Sequence, residues 1–570
     1  MVCSPTFMFK KQKINILLIV LILIGSFFTV MTMFRSGLTY DFGIGFWGPN
    51  GHDAIWHLSL INQLKQNIPP KNPIFSGTIL NNYHIGFDLI TAAISNLLNI
   101  SSSTLYFRIL PIIFAILIGL LSYSLAYLIT KNKNTSLIFV FLNYFAGSFG
   151  WIVTLIKSGS LGGESLFWSM QSASTLLNPP FSLSIIFLFS GLILWLKHKD
   201  SESIFWPILI GLIFGLLSLI KIYPAVLIGL AFSCFWLINF FKKNKNNRFN
   251  FIICLSTLLV SLVIFYLLNL FKGQQILEFH PFWFTNSLIQ SIDKFYWPKL
   301  ASFKFNQTNF LISILIQLFL IALFLIGNLG IRVLGFFSLA KKVISKKISS
   351  FDQISFFILF FSFTIPLFFV QKGTAWNTIQ FFYFFLLFAN FYLAIFLSNL
   401  FAKKKILAIL LLVLSIITSI STFRDYFGNP PPAAIPLDEA QALDFLKSQP
   451  NGIVLTFPYD QYQKNNYPKT PIPIYAYETT AYVSAFSNKV SFLEDEMNLD
   501  ITGFDWKSRR LEEQQFFTSS DKFFTRGFLL NNNIDYIYLV NDQSFKVDQN
   551  DLQIDLIFNN SSVKIYQVRK

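Results

Sequence analysis

Gly211–Leu230 reads GLIFGLLSLIKIYPAVLIGL, two apolar runs that meet at a single charge, Lys221. Crossing a bilayer as a helix takes about 20 apolar residues. Here the runs extend on both sides, predicting spans at Phe205–Ile220 and Tyr223–Phe241. A lysine in mid-membrane costs roughly 2.5–3.5 kcal/mol on insertion scales. It costs less at the boundary, where the stem stays in lipid and the ammonium reaches outward. Lys221 therefore belongs at the outer turn of a helical hairpin.

The same reading carries outward along the chain. Further spans are expected at Ile14–Phe34, Leu105–Ile129, Ser136–Ile156, Phe181–Leu196, Phe251–Leu270, Phe310–Leu334, Ile354–Val370, Ile379–Leu400 and Ile406–Phe423, about 11 in all. Only 13% of residues are charged, against the roughly 25% of a soluble surface, so the chain is an α-helical polytopic membrane protein. The apolar core at Ile14–Phe34 is too long for a signal peptide and reads as an anchor.

The net charge of +16 comes from lysines set between spans, which is a topological pattern and excludes a nucleic-acid partner. With the N-terminus (Lys10, Lys11, Lys13) cytoplasmic, the inner loops carry Lys131 and Lys133, Lys197 and Lys199, and Lys242, Lys243, Lys245 and Arg248. The last two inner loops carry Lys341, Lys342, Lys346 and Lys347, and Lys403, Lys404 and Lys405. Outer connections hold single cations such as Lys157, Lys221 and Lys372. An odd number of spans puts the C-terminus outside, giving a multi-pass plasma-membrane protein with an extracytoplasmic C-terminal domain. The three cysteines, Cys3, Cys234 and Cys254, form neither a disulfide framework nor a metal motif.

Three units follow: a membrane domain over residues 1–428, a Pro-rich linker at 429–436 (NPPPAAIP) and an α/β domain over 437–570. In the last, a helix is expected at Asp438–Ser448, strands at Gly452–Phe457, Ile534–Val540 and Ser562–Val568, and helix over Asp505–Phe524. Its acidic run FLEDEM reads as solvated surface.

The first outer loop, residues 35–104, carries the chemistry. Asn50 or Gly51 can cap an amphipathic helix over His52–Gln66 that Pro69 and Pro70 end. A second helix, Tyr83–Leu98, is expected to lie at the membrane interface. Asp53 and His57 are four apart and share a helix face. Asp53 stands at the N-terminus, where the helix dipole favours a carboxylate. Such a pair suits acid/base work on a lipid-borne substrate; it also suits a capping charge beside a surface histidine. Asp41 is a second carboxylate in the loop.

The run H-D-x-x-x-H, then P-P-x-x-P-x-x-x-G-x-x-L and Y-H-x-G-F-D, resembles the first periplasmic loop of the GT-C superfamily of membrane glycosyltransferases. Its residues here are Asp53, His57, Pro69, Pro70, Pro73, Gly77, Leu80, Tyr83, His84, Gly86, Phe87 and Asp88. The paired Gly-containing runs around Lys221, and the α/β pattern of DEAQALDFLKSQPNGIVLT and NNNIDYIYLV, are similar to prokaryotic members, including polyprenyl-phosphate-dependent mannosyltransferases and oligosaccharyltransferases. The resemblance implies an inverting transfer of a hexosyl or pentosyl group from a polyprenyl-phosphate-linked sugar donor. The acceptor would be a glycan, lipid or protein on the outer face, with membrane lipid as surroundings. It implies an acidic residue of this loop as catalytic base or metal contact: Asp53, with Asp41 second.

His57, His84, Lys221, Lys372 and His280 are the candidates for binding substrate or phosphate. For Lys221 and Lys372 the alternative is an interfacial anchor, and the aromatics around His280 and Glu278 also read as a membrane belt. Arg108 can pair with Asp88 or bind phosphate. No cofactor is required; Asp41 and Asp53 would hold a divalent cation (Mg or Mn) if one binds. No nucleotide cradle is present. The rival readings are a transporter or flippase for lipid-linked glycans, and a non-catalytic envelope assembly protein.

Overall fold

The computed structural model describes residues 16–243, 247–268, 277–372 and 374–570. Lys10, Lys11, Lys13, Cys3, the start of the first expected span at Ile14, Lys245 and the end of another at Leu270 lie outside the described residues. Among those described, eight helices are long and apolar enough to cross a membrane, from Ile16–Phe34 to Ala375–Lys403. Two helix pairs, Lys133–Phe145 with Gly150–Ser158 and Lys405–Leu414 with Ile417–Gly428, are bent by 45° and 47° and bring the number to ten if each pair is one span. The expected span Phe205–Ile220 is an apolar helix of 16 residues, shorter than the eight.

The bends correct the expectation of unbroken spans at Ser136–Ile156 and Ile406–Phe423. Backbone freed inside a membrane must find partners in the protein, and the two breaks serve one another. Gly147 N–H donates to Ser415 C=O at 2.7 Å. Ser148 N–H donates to Thr418 Oγ1 at 3.0 Å. A side chain at Gly147 would collide with Thr418. Arg332, buried, adds hydrogen bonds to Gly147 C=O at 2.8 Å and Asn390 Oδ1 at 2.7 Å.

Phe205–Ile220 and Ile222–Phe241 fold back on each other at Lys221, as Phe214 and Phe232 show with ring centroids 5.3 Å apart. Asn247–Leu267 packs against both, Ser218 Oγ donating to Ser261 Oγ at 2.8 Å.

The first long loop, residues 35–104, opens with a hairpin, Leu38–Tyr40 and Gly43–Phe46. The Pro-rich stretch, expected as a stiff linker, contributes to a small sheet. Its Ala433–Ile435 is a strand, antiparallel to Gly43–Phe46 and parallel to Ile472–Pro473. Gly43 has φ +118°, and a side chain there would strike Ile435 C=O. The loop's helices run over Asp53–Leu64 and Gly86–Leu98. Neither Asn50 nor Gly51 caps the first; Asn50 Nδ2 instead donates to Thr32 C=O at 2.9 Å.

After Ile435 comes a five-stranded sheet in the order Ile554–Asn559, Val563–Val568, Ile534–Val540, Ile453–Thr456, Val490–Ser491. The first three are antiparallel neighbours, and Ile453–Thr456 runs parallel to both of its own. The helix Leu437–Ser448 leads into the sheet. The stretch expected as one helix, Asp505–Phe524, divides into Lys507–Thr518 and Lys522–Asn531, because Asp521 accepts from Phe523 and Phe524 N–H and starts the second. This domain sits on the first loop: Glu494 N–H donates to Ile74 C=O at 3.0 Å, and Arg509 covers the Phe75 ring at 3.6 Å.

Candidate active site

A cavity of about 370 Å³ lies where the first loop, the Lys221 hairpin and the C-terminal domain meet. Asp53, Trp56, His57, Tyr83 and His84 come from the first loop, Lys221 and Tyr223 from the hairpin, and Asn498 from the C-terminal domain.

The helix Asp53–Leu64 sends Asp53 and His57 from one face into this cavity. The Asp53 side chain is 48% exposed, and one of its oxygens, Oδ1, faces His52 Nδ1 at 3.1 Å. Burial alone would raise this carboxyl. The hydrogen bond and charge of His52, with His57 and Lys221 beyond, outweigh that and hold it below the usual carboxylate range. His57 turns Nδ1 to Asp88 Oδ1 at 2.8 Å, both residues buried. Burial pushes the Asp88 carboxyl up, with His57 opposing. His84 stacks on Tyr83 at 4.6 Å. Burial, then Lys221 and His57, hold its ring well below the usual imidazole range, and its Nε2 is buried without a hydrogen-bond partner among the described residues.

Lys221 is buried at the helical break, where its Nζ donates to Asn178 Oδ1 at 3.3 Å. Burial pushes the ammonium down to about 8, against the opposing charges of Asp53 and Asp88.

The cavity leads into a second, apolar groove between the hairpin and Asn247–Leu267. The two share Ser218, Ile222, Val226 and Phe265. The groove continues along Gly229, Leu230, Trp236, Leu255 and Leu258, of which the three leucines are exposed.

Four of the expected site residues thus converge: Asp53, His57, His84 and Lys221. Asp41 does not join them, lying exposed in the turn between Leu38–Tyr40 and Gly43–Phe46. His280 is exposed, its N–H donating to Phe368 C=O at 2.8 Å. Lys372 is exposed beside Gln371, which does line the cavity. Among the described residues Arg108 forms no salt bridge and donates to Ser36 C=O at 2.8 Å, while Asp88 pairs with His57.

The sequence reading missed His52, Asn178, Asn498 and Asp495. His52 stands next to Asp53 in the quoted motif and was legible as part of it. FLEDEM is not solvated: Glu494, Asp495 and Glu496 are all buried. Asp495 Oδ1 meets His52 Nε2 at 3.1 Å, and Asp495 Oδ2 accepts from Asn498 Nδ2 at 2.7 Å.

A divalent cation needs several hard ligands converging on one point. Among the described residues no three His, Cys, Asp or Glu side chains do so. Asp41 is away from Asp53, and the cavity already holds a lysine. Among the described residues, the donor set of this cavity does not fit a resident divalent cation.

Solved structures with a similar fold include the oligosaccharyltransferase of Archaeoglobus fulgidus in complex with zinc and sulfate. It is 14% identical with a TM-score of 0.52, over 91% of this chain and 68% of that one. The apo form of the same protein is 12% identical with a TM-score of 0.51, over 92% and 69%. The fold is therefore that of this oligosaccharyltransferase. No family model and no curated protein matches the sequence.

Proposed function

We propose that the chain is an inverting membrane glycosyltransferase that moves a sugar from a polyprenyl-phosphate carrier to an acceptor hydroxyl at the outer face of the plasma membrane. The continuity of the charged cavity with the apolar groove carries this reading. A lipid-linked phosphate donor has those two parts, a long apolar tail and an anionic head. The tail fits between Ile222–Phe241 and Asn247–Leu267. The head fits at Lys221, a buried cation whose hydrogen-bond partner in the protein is neutral.

The reaction then runs across the cavity. Asp53, ionised and partly exposed, takes the acceptor hydroxyl proton as the oxygen attacks the anomeric carbon. The bond from that carbon to the phosphate oxygen breaks, and the electron pair leaves with the lipid phosphate. Lys221 and Asn178 meet this charge as it develops, in a buried site where fixed donors act strongly. His57, fixed by Asp88, presents its other edge to the same cavity. No step runs through a metal. The basic inner loops support the orientation, with the N-terminus cytoplasmic and the C-terminal domain outside.

The test is sugar transfer by the purified protein in liposomes holding labelled polyprenyl-phosphate sugars. Release of lipid phosphate with the sugar on a new acceptor supports the reading. Intact donor moved across the bilayer would establish a flippase instead.

A further inference from the structure

Asp53 reaches the C-terminal domain through one side chain. His52 is buried between two carboxylates, Asp53 Oδ1 at 3.1 Å from Nδ1 and Asp495 Oδ1 at 3.1 Å from Nε2. Ionised carboxylates only accept, so both ring nitrogens donate and the ring is a cation. Asp495 is itself held rigidly: Oδ1 caps the helix Glu496–Thr502 by accepting from Asn498 N–H, and Oδ2 accepts from Asn498 Nδ2. It adopts a left-handed backbone (φ +49°) that turns the side chain toward the first loop. Asn498 in turn lines the cavity. The free edge of Asp53 is then its other oxygen, Oδ2, left to face the acceptor.

We infer that Asp495 is a positioning residue of the active site, holding His52 and through it the Asp53 carboxylate, so that the site is incomplete without the C-terminal domain. This rests on Asp53 being the base. A misplacement on the scale of 1 Å can cost about 100-fold in rate, and an Asp53 released from His52 would rotate freely in a half-open cavity. The groups facing His52 are Asp53, Asp495 and, at longer range, Glu478. Losing Asp495 therefore removes one of its two direct counter-charges.

The experiment uses the full chain in two parallel assays. In transfer, Asp495→Ala and His52→Gln should each lower kcat roughly 10–100-fold with acceptor KM changed far less. The double variant should fall no further than the worse single. Asp495→Asn, which keeps the shape, should recover part of the loss. Asp555→Asn, which breaks an exposed pair with Arg569 on the far sheet edge, should leave the rate alone. Additive losses, or Asp495→Ala within twofold of wild type while His52→Gln is slow, would overturn the inference. The second assay needs no activity: imidazole carbon-13 NMR of the five histidines. One resonance should stay protonated to unusually high pH, and that same resonance should titrate at lower pH in both Asp495→Asn and Asp53→Asn. If no resonance responds to both, the bridge is absent. If one does but wild type transfers nothing, the bridge stands and the enzyme reading fails.

Discussion

The Lys221 ammonium lies 3.3 Å from the amide oxygen of Asn178, a neutral partner, and no carboxylate among the described residues comes within ion-pair distance of it. A buried cation left in this state costs stability, and a bound anion would remove that cost. Its proton leaves at about 8, so the cation is present below that pH and lost above it. Transfer should fall about tenfold per pH unit above about 8 as the proton goes. Lys221→Arg, charged at any working pH, should carry the alkaline limb upward. Lys221→Met should lower kcat roughly 100–1000-fold while the fold persists, since methionine is cheaper to bury. Rate profiles of the three proteins between pH 6 and 10 check this. An identical limb in Lys221→Arg would show that another group sets it.

The groove offers a test of the lipid tail alone. A Cβ added at Gly229 meets no atom within 4 Å, so Gly229→Trp has open space at its root from which to enter the groove. Two methylenes of lost tail contact, at about 0.8 kcal/mol each, correspond to roughly tenfold in affinity. Donor KM should rise by about that factor for a long-chain carrier and much less for a two-isoprene analogue, with the melting temperature held. Equal effects on both donors would place the tail elsewhere.

The C-terminal domain carries a pH dependence of its own. Burial pushes the carboxyls of Glu439 and Glu513 up to about 8 and Glu494 up to about 7. Each therefore holds its proton more tightly folded than unfolded. Their stabilisation is full below the unfolded carboxyl range near 4.5 and drains away as pH rises to about 8, by at most about 1.4 kcal/mol per pH unit for each group. Thermal unfolding should show a midpoint that declines from pH 5 to 8 and levels above. Glu439→Gln should flatten part of that slope and gain relative stability at pH 8. A midpoint that rises over the same range would contradict the burial of these groups.

Much of this was readable in one dimension, and the unread part shares a cause. Lys221 stood out because a charge in an apolar run is expensive, and Asp53 with His57 because helical spacing aligns them. The bends at Gly147 and Ser415 did not, since both breaks are stabilised by each other across 268 positions rather than by local sequence. Asp495 sits 443 residues from His52, inside an acidic run whose composition suits solvent. Only folding shows that its neighbours face inward. Asp41 misled for the converse reason: a carboxylate near the site in sequence lies in a hairpin turn that points it outward.

The central claim is that Asp53 is the base, and Asp53→Asn tests it most directly. The substitution keeps the shape and removes the proton acceptor. Transfer from a labelled polyprenyl-phosphate sugar should fall about 100–10,000-fold with donor binding and folding unchanged. Transfer within a few-fold of wild type would contradict the account and move the base to another residue.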